Sequence, residues 1–456
     1  MTIHETALPV VTDLRVALGE RIVLPGDDAW DSARRAWNLA IDQRPAAVAL
    51  PESAEDVVHV VRAAAAAGLR VAPQATGHGA GALADTDLAD TVLVSLSRLR
   101  GVTVSPQNRR ALVLGGSHWN YVVEAAAPHG LTAMHGSAGD VGVVGYALSG
   151  GLSFYARTHG LAVNHVRAVQ IVTADGRIVR ASDDENADLF WAVRGGSGAF
   201  GVVVSLEIDL LPYADVFAGM LLWDASRAAE VVPAWAAWTR TLPESVSTSM
   251  RVMHFPPMPQ LPPFLSGRSL VVLDGAFLEP DAAADALLAP MRAFEPEMDT
   301  FARIPSAALV MMHMDPPEPA PAFSEGAMLA SLPDDAVEAF LGACRAPGLF
   351  IAELRHVGGA ASRRPADAGA VGALDGDYLV VGIAMVPGAE FAVGALAAVR
   401  GVVAATAAWH SPSLALTFID GGVGREHAFG DAGRRLRELK SAWDPRGMFA
   451  AGHPVD

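Results

Sequence analysis

The sequence predicts an α+β fold of at least two domains, and three observations carry that expectation. A β–α–β unit at residues 46–73 runs directly into a glycine-rich loop at 74–83, QATGHGAGAL. A second glycine-rich stretch, HGSAGDVGVVGYALSGGLS, follows at 135–153. The C-terminal half then alternates short apolar runs with helical patterns in the manner of an antiparallel sheet covered on one side. With 456 residues, 51% of them apolar and 18% charged, the chain is long enough for two or three domains of roughly 100–200 residues, each with its own core.

The elements follow in order. AAVAL at 46–50 reads as a strand, and Ser53 caps the helix after it, with Asp56 at the third helical position and Glu55 beside it. That helix runs through an alanine tract to Gly68, a left-handed terminator, and LRVAP at 69–73 returns as a strand. TVLVSL at 91–96, VTVS at 102–105 and ALVL at 111–114 are further strands, with a helix from Trp119 to Ala127. VRAVQIVT at 166–173 and IVRA at 178–181 form a hairpin through Asp175-Gly176. A short helix covers 185–193 and a long strand 201–211, which completes one α+β unit by about residue 214. Beyond it, two proline-rich stretches at 255–264 and 315–323 read as ordered loops among strands at 269–278, 348–357 and 377–386.

Charge and rare residues exclude several functions. A net charge of −17 repels phosphate backbones and anionic lipid, so neither nucleic acid nor membrane is the expected partner. Cys344 is the only cysteine, which rules out an internal disulfide, a thiolate zinc cluster and an iron–sulfur site; no metal site is expected. Lys440 is the only lysine, so there is no GK[ST] phosphate loop. The first twenty residues have neither a basic start nor an unbroken apolar run, and no segment reads as a membrane span. The expectation is a reduced, cytoplasmic protein, with a homo-oligomer as one form it can take.

The glycine loops do not make a Rossmann site. GSGAFG at 196–201 has helix before it and strand after it, the reverse of what a pyrophosphate at a helix N-terminus requires. The GxGxxA match at Gly77, Gly79 and Ala82 follows a strand but leads into acidic loop sequence. Gly77, Gly79 and Gly81 nevertheless allow backbone N–H groups to converge on an anion, and one such loop alone is equally well a plain turn. A second loop with Gly136, Gly139, Gly142, Gly145, Gly150 and Gly151 in the same domain favours a ligand lying across both.

With these stretches in view, the chain resembles the vanillyl-alcohol oxidase class of FAD-binding proteins, and within it the berberine-bridge-enzyme-like group. The resemblance rests on QATGHGAG at 74–81, GSAGDVGVVGYALSGG at 136–151, HGLAVNHV at 159–166, ENADLFWAVRGGSGAFGVV at 185–203 and LKSAWDPRGMF at 439–449. It implies a two-subdomain, PCMH-type FAD-binding module over 1–214, an antiparallel-sheet substrate domain over 215–410 lying across the flavin, and a C-terminal segment, 411–456, returning to the FAD domain. It also implies two-electron oxidation of a small organic substrate with molecular oxygen as the final acceptor.

The resemblance assigns residues as well. His78 stands where the family's first loop carries a histidine bonded to the flavin 8α-methyl group; read from the residues alone, it either closes the loop by hydrogen bonding or is that tether. The family's arginine position in that loop is Gln74. The second tether of some members, a cysteine, falls on Ala138, so a cysteinyl linkage is not expected. Ala75, Thr76, Gly77, Gly79 and Ala80 of the first loop, and Ser137, Ala138, Asp140, Val141, Gly142, Gly145, Gly150 and Gly151 of the second, are expected at the FAD. Val202 is expected near its adenine end and Asn164 near its ring.

The catalytic group is less clear. The family's tyrosine and asparagine before the C-terminal helix fall on Ala415 and Thr417 of an expected strand, SLALTFID at 413–420, and a further pair falls on Ala432-Gly433. No tyrosine follows Tyr378. Oxygenation or a redox-neutral cyclisation therefore stands beside plain oxidation, and a non-catalytic binding protein is the third reading. Substitutes for the missing base come from the substrate domain. Glu353 and Arg355 share one face of their strand, as an ion pair or as an acid and clamp, while His356 lies on the other face. Tyr378, His313, His410 and Asp420 complete the candidates.

Overall fold

The computed structural model describes residues 14–84, 86–316, 318–420 and 429–455. Residues 1–13, on which the sequence reading of the N-terminus rests, lie outside the described residues. The described chain holds three sheets.

The first sheet contains β1 (Ile22–Val23), β2 (Ala47–Ala49), β3 (Arg70–Gln74) and β4 (Thr91–Ser95) in the order β1-β2-β4-β3. β4 lies between β2 and β3 and runs parallel to both. Between β2 and β3 the helix Ala54–Ala66 begins as its sequence directs: Ser53 Oγ accepts from the Asp56 N–H at 3.1 Å, and Asp56 Oδ2 accepts from the Glu52 N–H at 3.1 Å. The helix buries Val57, Val60, Val61 and Ala64 at i, i+3, i+4 and i+7, against the parallel strands, and ends at Gly68 with φ +70°.

The second sheet orders β5 (Val102–Ser105), β6 (Arg110–Leu114), β7 (Val166–Val172), β8 (Ile178–Ser182) and β9 (Val202–Asp209) as β5-β6-β9-β7-β8, all antiparallel. The β7–β8 turn is closed by Gly176 N–H to Thr173 C=O at 2.8 Å, with Gly176 at φ +72°.

The third sheet contains β10 (Asp215–Asp224), β11 (Val246–His254), β12 (Ser269–Phe277), β13 (Met298–Asp299), β14 (Ala302–Pro305), β15 (Ala322–Leu329), β16 (Ile351–His356) and β17 (Tyr378–Met385). Its path is β13-β10-β12-β11-β16-β17-β15, with β14 paired to β10. One face carries Met250, Leu273, Leu354 and Val380, which pack into a core with helices Ala228–Thr239, Asp281–Arg292, Asp334–Ala343 and Ala392–Ala405. The opposite face, set by the two-residue period, carries Ser249, Arg251, Asp274, Glu353 and Arg355.

The C-terminal segment rejoins the first sheet: the Val71 N–H donates to Met448 C=O at 2.8 Å and the Ala450 N–H to Val71 C=O at 2.9 Å. Lys440 clamps this return, donating to Asp444 Oδ2 at 2.6 Å and to Ala199 C=O at 2.7 Å. The expected strand at 413–420 does not form. Pro412 offers no N–H for pairing, and the chain instead crosses in front of β15 through the 3₁₀ turn Leu416–Phe418, with Phe418 C=O 3.2 Å from where a Cβ on Gly326 would lie.

Candidate active site

The two glycine loops meet in space. The first leaves the C-terminal end of β3, where Gln74 Oε1 accepts from Gln43 Nε2 at 2.9 Å. Gly77 takes φ +81°, and a Cβ there would lie 2.8 Å from Ala36 Cβ, so glycine allows the 36–38 segment to approach. The Trp37 N–H then donates to Thr76 C=O at 3.0 Å, which sets the indole over His78 with ring centroids 4.1 Å apart and planes 18° from parallel. The second loop is fixed by the start of helix Trp119–Ala126: the Asn120 N–H donates to Gly139 C=O at 2.7 Å and the Trp119 N–H to Val141 C=O at 3.1 Å. Gly142 is where the loops touch, since a Cβ there would stand 2.8 Å from Ala75 Cβ.

Asp140 ties these parts together. Its Oδ2 accepts from Trp37 Nε1 at 2.6 Å and its Oδ1 lies 3.5 Å from His78 Nε2. Burial pushes its carboxyl upward, but the contacts with His78 and Trp37 outweigh that and hold it below the usual carboxylate range.

A cavity of about 460 Å³, within the range of small-molecule and cofactor sites, opens between the loops and the polar face of the third sheet. Residues 74–80 of the first loop and Ser137, Ala138, Val141, Gly142 and Gly145 of the second form one wall. One end reaches Gly196, Ser197, Gly198 and Val203; the other is enclosed by Phe350, Ile351, Ile383, Met385, Phe418 and Arg355. Tyr146 stands between them; burial raises its phenol, and the nearby Arg355 opposes the shift.

Behind Arg355 lies a buried ionic cluster. Asp274 Oδ1 accepts from Ser249 Oγ at 2.7 Å, while Oδ2 accepts from Arg251 Nη2 at 2.6 Å and from His313 Nδ1 at 2.8 Å. Burial raises the Asp274 carboxyl, and Arg251, His313 and Ser249 together bring it far below its ordinary value. On the far side of the imidazole, His313 Nε2 accepts from Arg355 Nη2 at 3.1 Å, and Glu353 Oε1 lies 2.7 Å from Arg355 Nε. A cavity of about 30 Å³, with room for a water molecule, adjoins the main one and is walled by Ser249, His313, Arg355 and His356.

The structure brings together at the main cavity Ala75, Thr76, Gly77, His78, Gly79, Ala80, Ser137, Ala138, Val141, Gly142 and Gly145. Other residues expected at the cofactor stand off its lining. Val202 turns into the core of the first sheet and its neighbour Val203 takes the lining position, as strand alternation requires. Asn164 donates to Gly372 C=O at 2.8 Å. Gly150 and Gly151 make the turn behind the loop, where a Cβ on Gly151 would press within 2.6 Å of the Tyr146 ring.

Among the catalytic candidates, Tyr378 is on the helix-covered face of the sheet, its hydroxyl 2.8 Å from Thr239 Oγ1, and it does not line the cavity. His356 stacks on Tyr378 at 5.3 Å and reaches only the small cavity. Glu353 supports Arg355 from behind. Asp420 lines the main cavity with Oδ2 2.7 Å from Ser324 Oγ, whereas His410 bonds to Val403 C=O at 3.1 Å away from it. Arg355, read from the sequence as an ion-pair partner or a clamp, lines the main cavity, whereas Trp37, Tyr146 and Asp315 are among the lining residues that the sequence did not single out; the position of Tyr146 inside the glycine stretch was the one signal for them.

Residues 45–182 match the model of the FAD binding domain family. That stretch is similar to an FAD-binding domain. It is 31% identical over 230 residues to the glucooligosaccharide oxidase of Sarocladium strictum, across 49% of this chain and 46% of that protein. It is 34% identical over 207 residues to the (R)-6-hydroxynicotine oxidase of Paenarthrobacter nicotinovorans, across 45% of this chain and 44% of that one. These matches span less than half the length of either relative. The fold is that of solved berberine-bridge-enzyme-like proteins. BBE-like 1 of Physcomitrella patens superposes with a TM-score of 0.85 at 19% identity, covering 98% of this chain and 99% of that one. The 6-hydroxy-D-nicotine oxidase of Arthrobacter nicotinovorans gives 0.84 at 22% identity, covering 97% and 98%.

The residues of the cavity fit FAD. A Cβ added at Gly79 or Gly145 would meet no protein atom within 4 Å, so the missing side chains leave room that the protein itself does not fill. His78 presents an imidazole to that room. Residues 75–80 and 137–142 would hold the diphosphate through backbone N–H groups.

Proposed function

We propose that this chain is an FAD-dependent oxidase of a small or medium organic substrate, with the flavin held through His78 and molecular oxygen as the electron acceptor. One observation carries the reading: a single cavity runs from the glycine loops and His78 to a wall of Phe350, Ile351, Ile383, Met385 and Phe418 that ends at one guanidinium. Bound FAD would supply the two-electron oxidising chemistry.

The chain's own residues do the rest. The apolar wall takes a flat or branched apolar body, while Asp315, Ser324, Thr417 and Asp420 of the same cavity offer a few polar partners. Arg355 is the group that meets the substrate's polar end. Its guanidinium is held in place by Glu353 at 2.7 Å and His313 at 3.1 Å, and by the Phe418 ring 4.9 Å below. Behind it His313 is held between Asp274 Oδ2 at 2.8 Å and Arg355, and His313 and His356 border the same small cavity.

The test is peroxide release by the purified holoprotein. Apolar secondary alcohols and cyclic amines on aromatic cores are compared with xylobiose and chitobiose. The expected result is anaerobic bleaching of the flavin and peroxide formation with members of the first set. Turnover confined to the sugars would contradict the substrate class, and bleaching without peroxide in air would favour a redox-neutral or oxygenating reaction.

A further inference from the structure

His78 has two ring nitrogens, and only one can form a bond to carbon while the other keeps a proton. The surroundings decide which. Nε2 is buried, without a hydrogen-bond partner of normal length, and faces Asp140 Oδ1 at 3.5 Å. Asp140 is kept ionised by its contacts with His78 and by Trp37 Nε1 at 2.6 Å. An ionised carboxylate facing a nitrogen lone pair would be repulsive, so Nε2 carries the proton and Nδ1 carries the lone pair. Trp37, stacked at 4.1 Å, stops the ring from flipping. A further titratable group near both residues is His118, whose imidazole is disfavoured as a cation by burial and by Arg100.

We propose that Asp140 is the positioning residue for flavin attachment: it fixes His78 with Nδ1 as the nucleophile and takes the Nε2 proton as the bond forms. The inference rests on the tether assigned to His78 above. In the net reaction one imidazole N–H and one C–H of the flavin 8α-methyl group are replaced by a single N–C bond. The two electrons and two protons released reduce molecular oxygen to hydrogen peroxide. Asp140 lowers the cost of this step because alkylation of Nδ1 would otherwise leave a buried imidazolium with no counter-charge.

The test uses the full chain and four variants, H78A, D140N, D140E and W37F, each purified with excess FAD. Flavin that stays with acid-precipitated protein and the intact mass report the adduct, while fluorescence quenching reports reversible FAD binding. Wild type is expected to carry the adduct and H78A none. D140N is expected to bind FAD reversibly but to form adduct about tenfold or more slowly, the loss typical when a carboxylate that orients an imidazole is removed. D140E is expected to retain it, and W37F to form it with the carboxylate still present. Adduct in D140N at the wild-type rate would overturn the proposal while leaving the tether intact. Releasable flavin in wild type would overturn both. If D140N binds no FAD, D140E decides: adduct supports the proposal, and bound but releasable flavin overturns it.

Discussion

Asp140 and Trp37 are 103 positions apart in sequence and joined by a 2.6 Å hydrogen bond. That bond closes the N-terminal segment over His78 and locks it to the second glycine loop. Trp37→Ala removes both the stack and the bond. It is expected to weaken FAD binding by about tenfold, the equivalent of roughly 1.4 kcal/mol, with the fold retained. Fluorescence titration with FAD checks it.

The open Cβ positions predict opposite signs for stability and binding. Gly145 lies inside helix Val143–Leu148, and alanine there meets no protein atom. Gly145→Ala should therefore stabilise the cofactor-free chain by about 0.5–1 kcal/mol, the ordinary helical preference, while lowering FAD affinity. Gly116→Ala is the contrast, because its Cβ would fall 1.8 Å from Leu96 C=O and the chain should lose stability outright. Urea unfolding with and without FAD separates the two.

The Arg251–Asp274 pair is fully buried, with side-chain exposures of 1% and 0%. Asp274→Ala leaves the arginine charge unpaired and should cost about 3–5 kcal/mol. Replacing both partners by apolar residues should recover part of that loss, since each charge is then absent. A double-mutant cycle in denaturant measures the coupling.

Two histidines make the fold acid-sensitive. Burial holds His135 down to about 4, partly opposed by its bond to Gly136 C=O, and holds His356 down to about 3, with Arg157 adding to the effect. Both values lie below the ordinary ~6.5. As pH falls below 6.5 the unfolded chain takes up protons that the folded chain refuses, so stability declines between pH 6.5 and 4 by about 2.7 kcal/mol per pH unit for the pair. His356→Asn should lower the measured slope by about 1.4 kcal/mol per pH unit, the share of one histidine, read from urea stability at pH 7 and 4.5. Equal slopes in the two proteins would contradict the assignment.

What was legible in the sequence is what local chemistry determines. Ser53 and Asp56 announced a helix start, Asp175-Gly176 a hairpin, and the paired glycine loops a cofactor cradle, because caps, turns and φ > 0 positions are read within a few residues. The period-two face of β16 correctly separated Glu353 and Arg355 from His356. It gave no way to see that Tyr378 lies on the helix-covered side, since the pairing His356↔Tyr378 is set by β16–β17 register. The Asp274–His313 contact crosses 39 positions from a strand to an irregular loop, and MMHMD reads as core methionines with one histidine among them. Trp37 and residues 416–420 reach the cavity from irregular segments, where no periodicity marks which side chain turns inward.

We propose that the cavity between residues 74–80 and 136–145 is an FAD site anchored at His78. The most direct measurement is the absorbance of the full-length chain, purified after expression with ample riboflavin, before and after acid precipitation. The account predicts a flavin spectrum at one FAD per chain, retained in the precipitate for wild type and released for His78→Ala. A folded wild-type chain that is colourless and does not quench added FAD would contradict it.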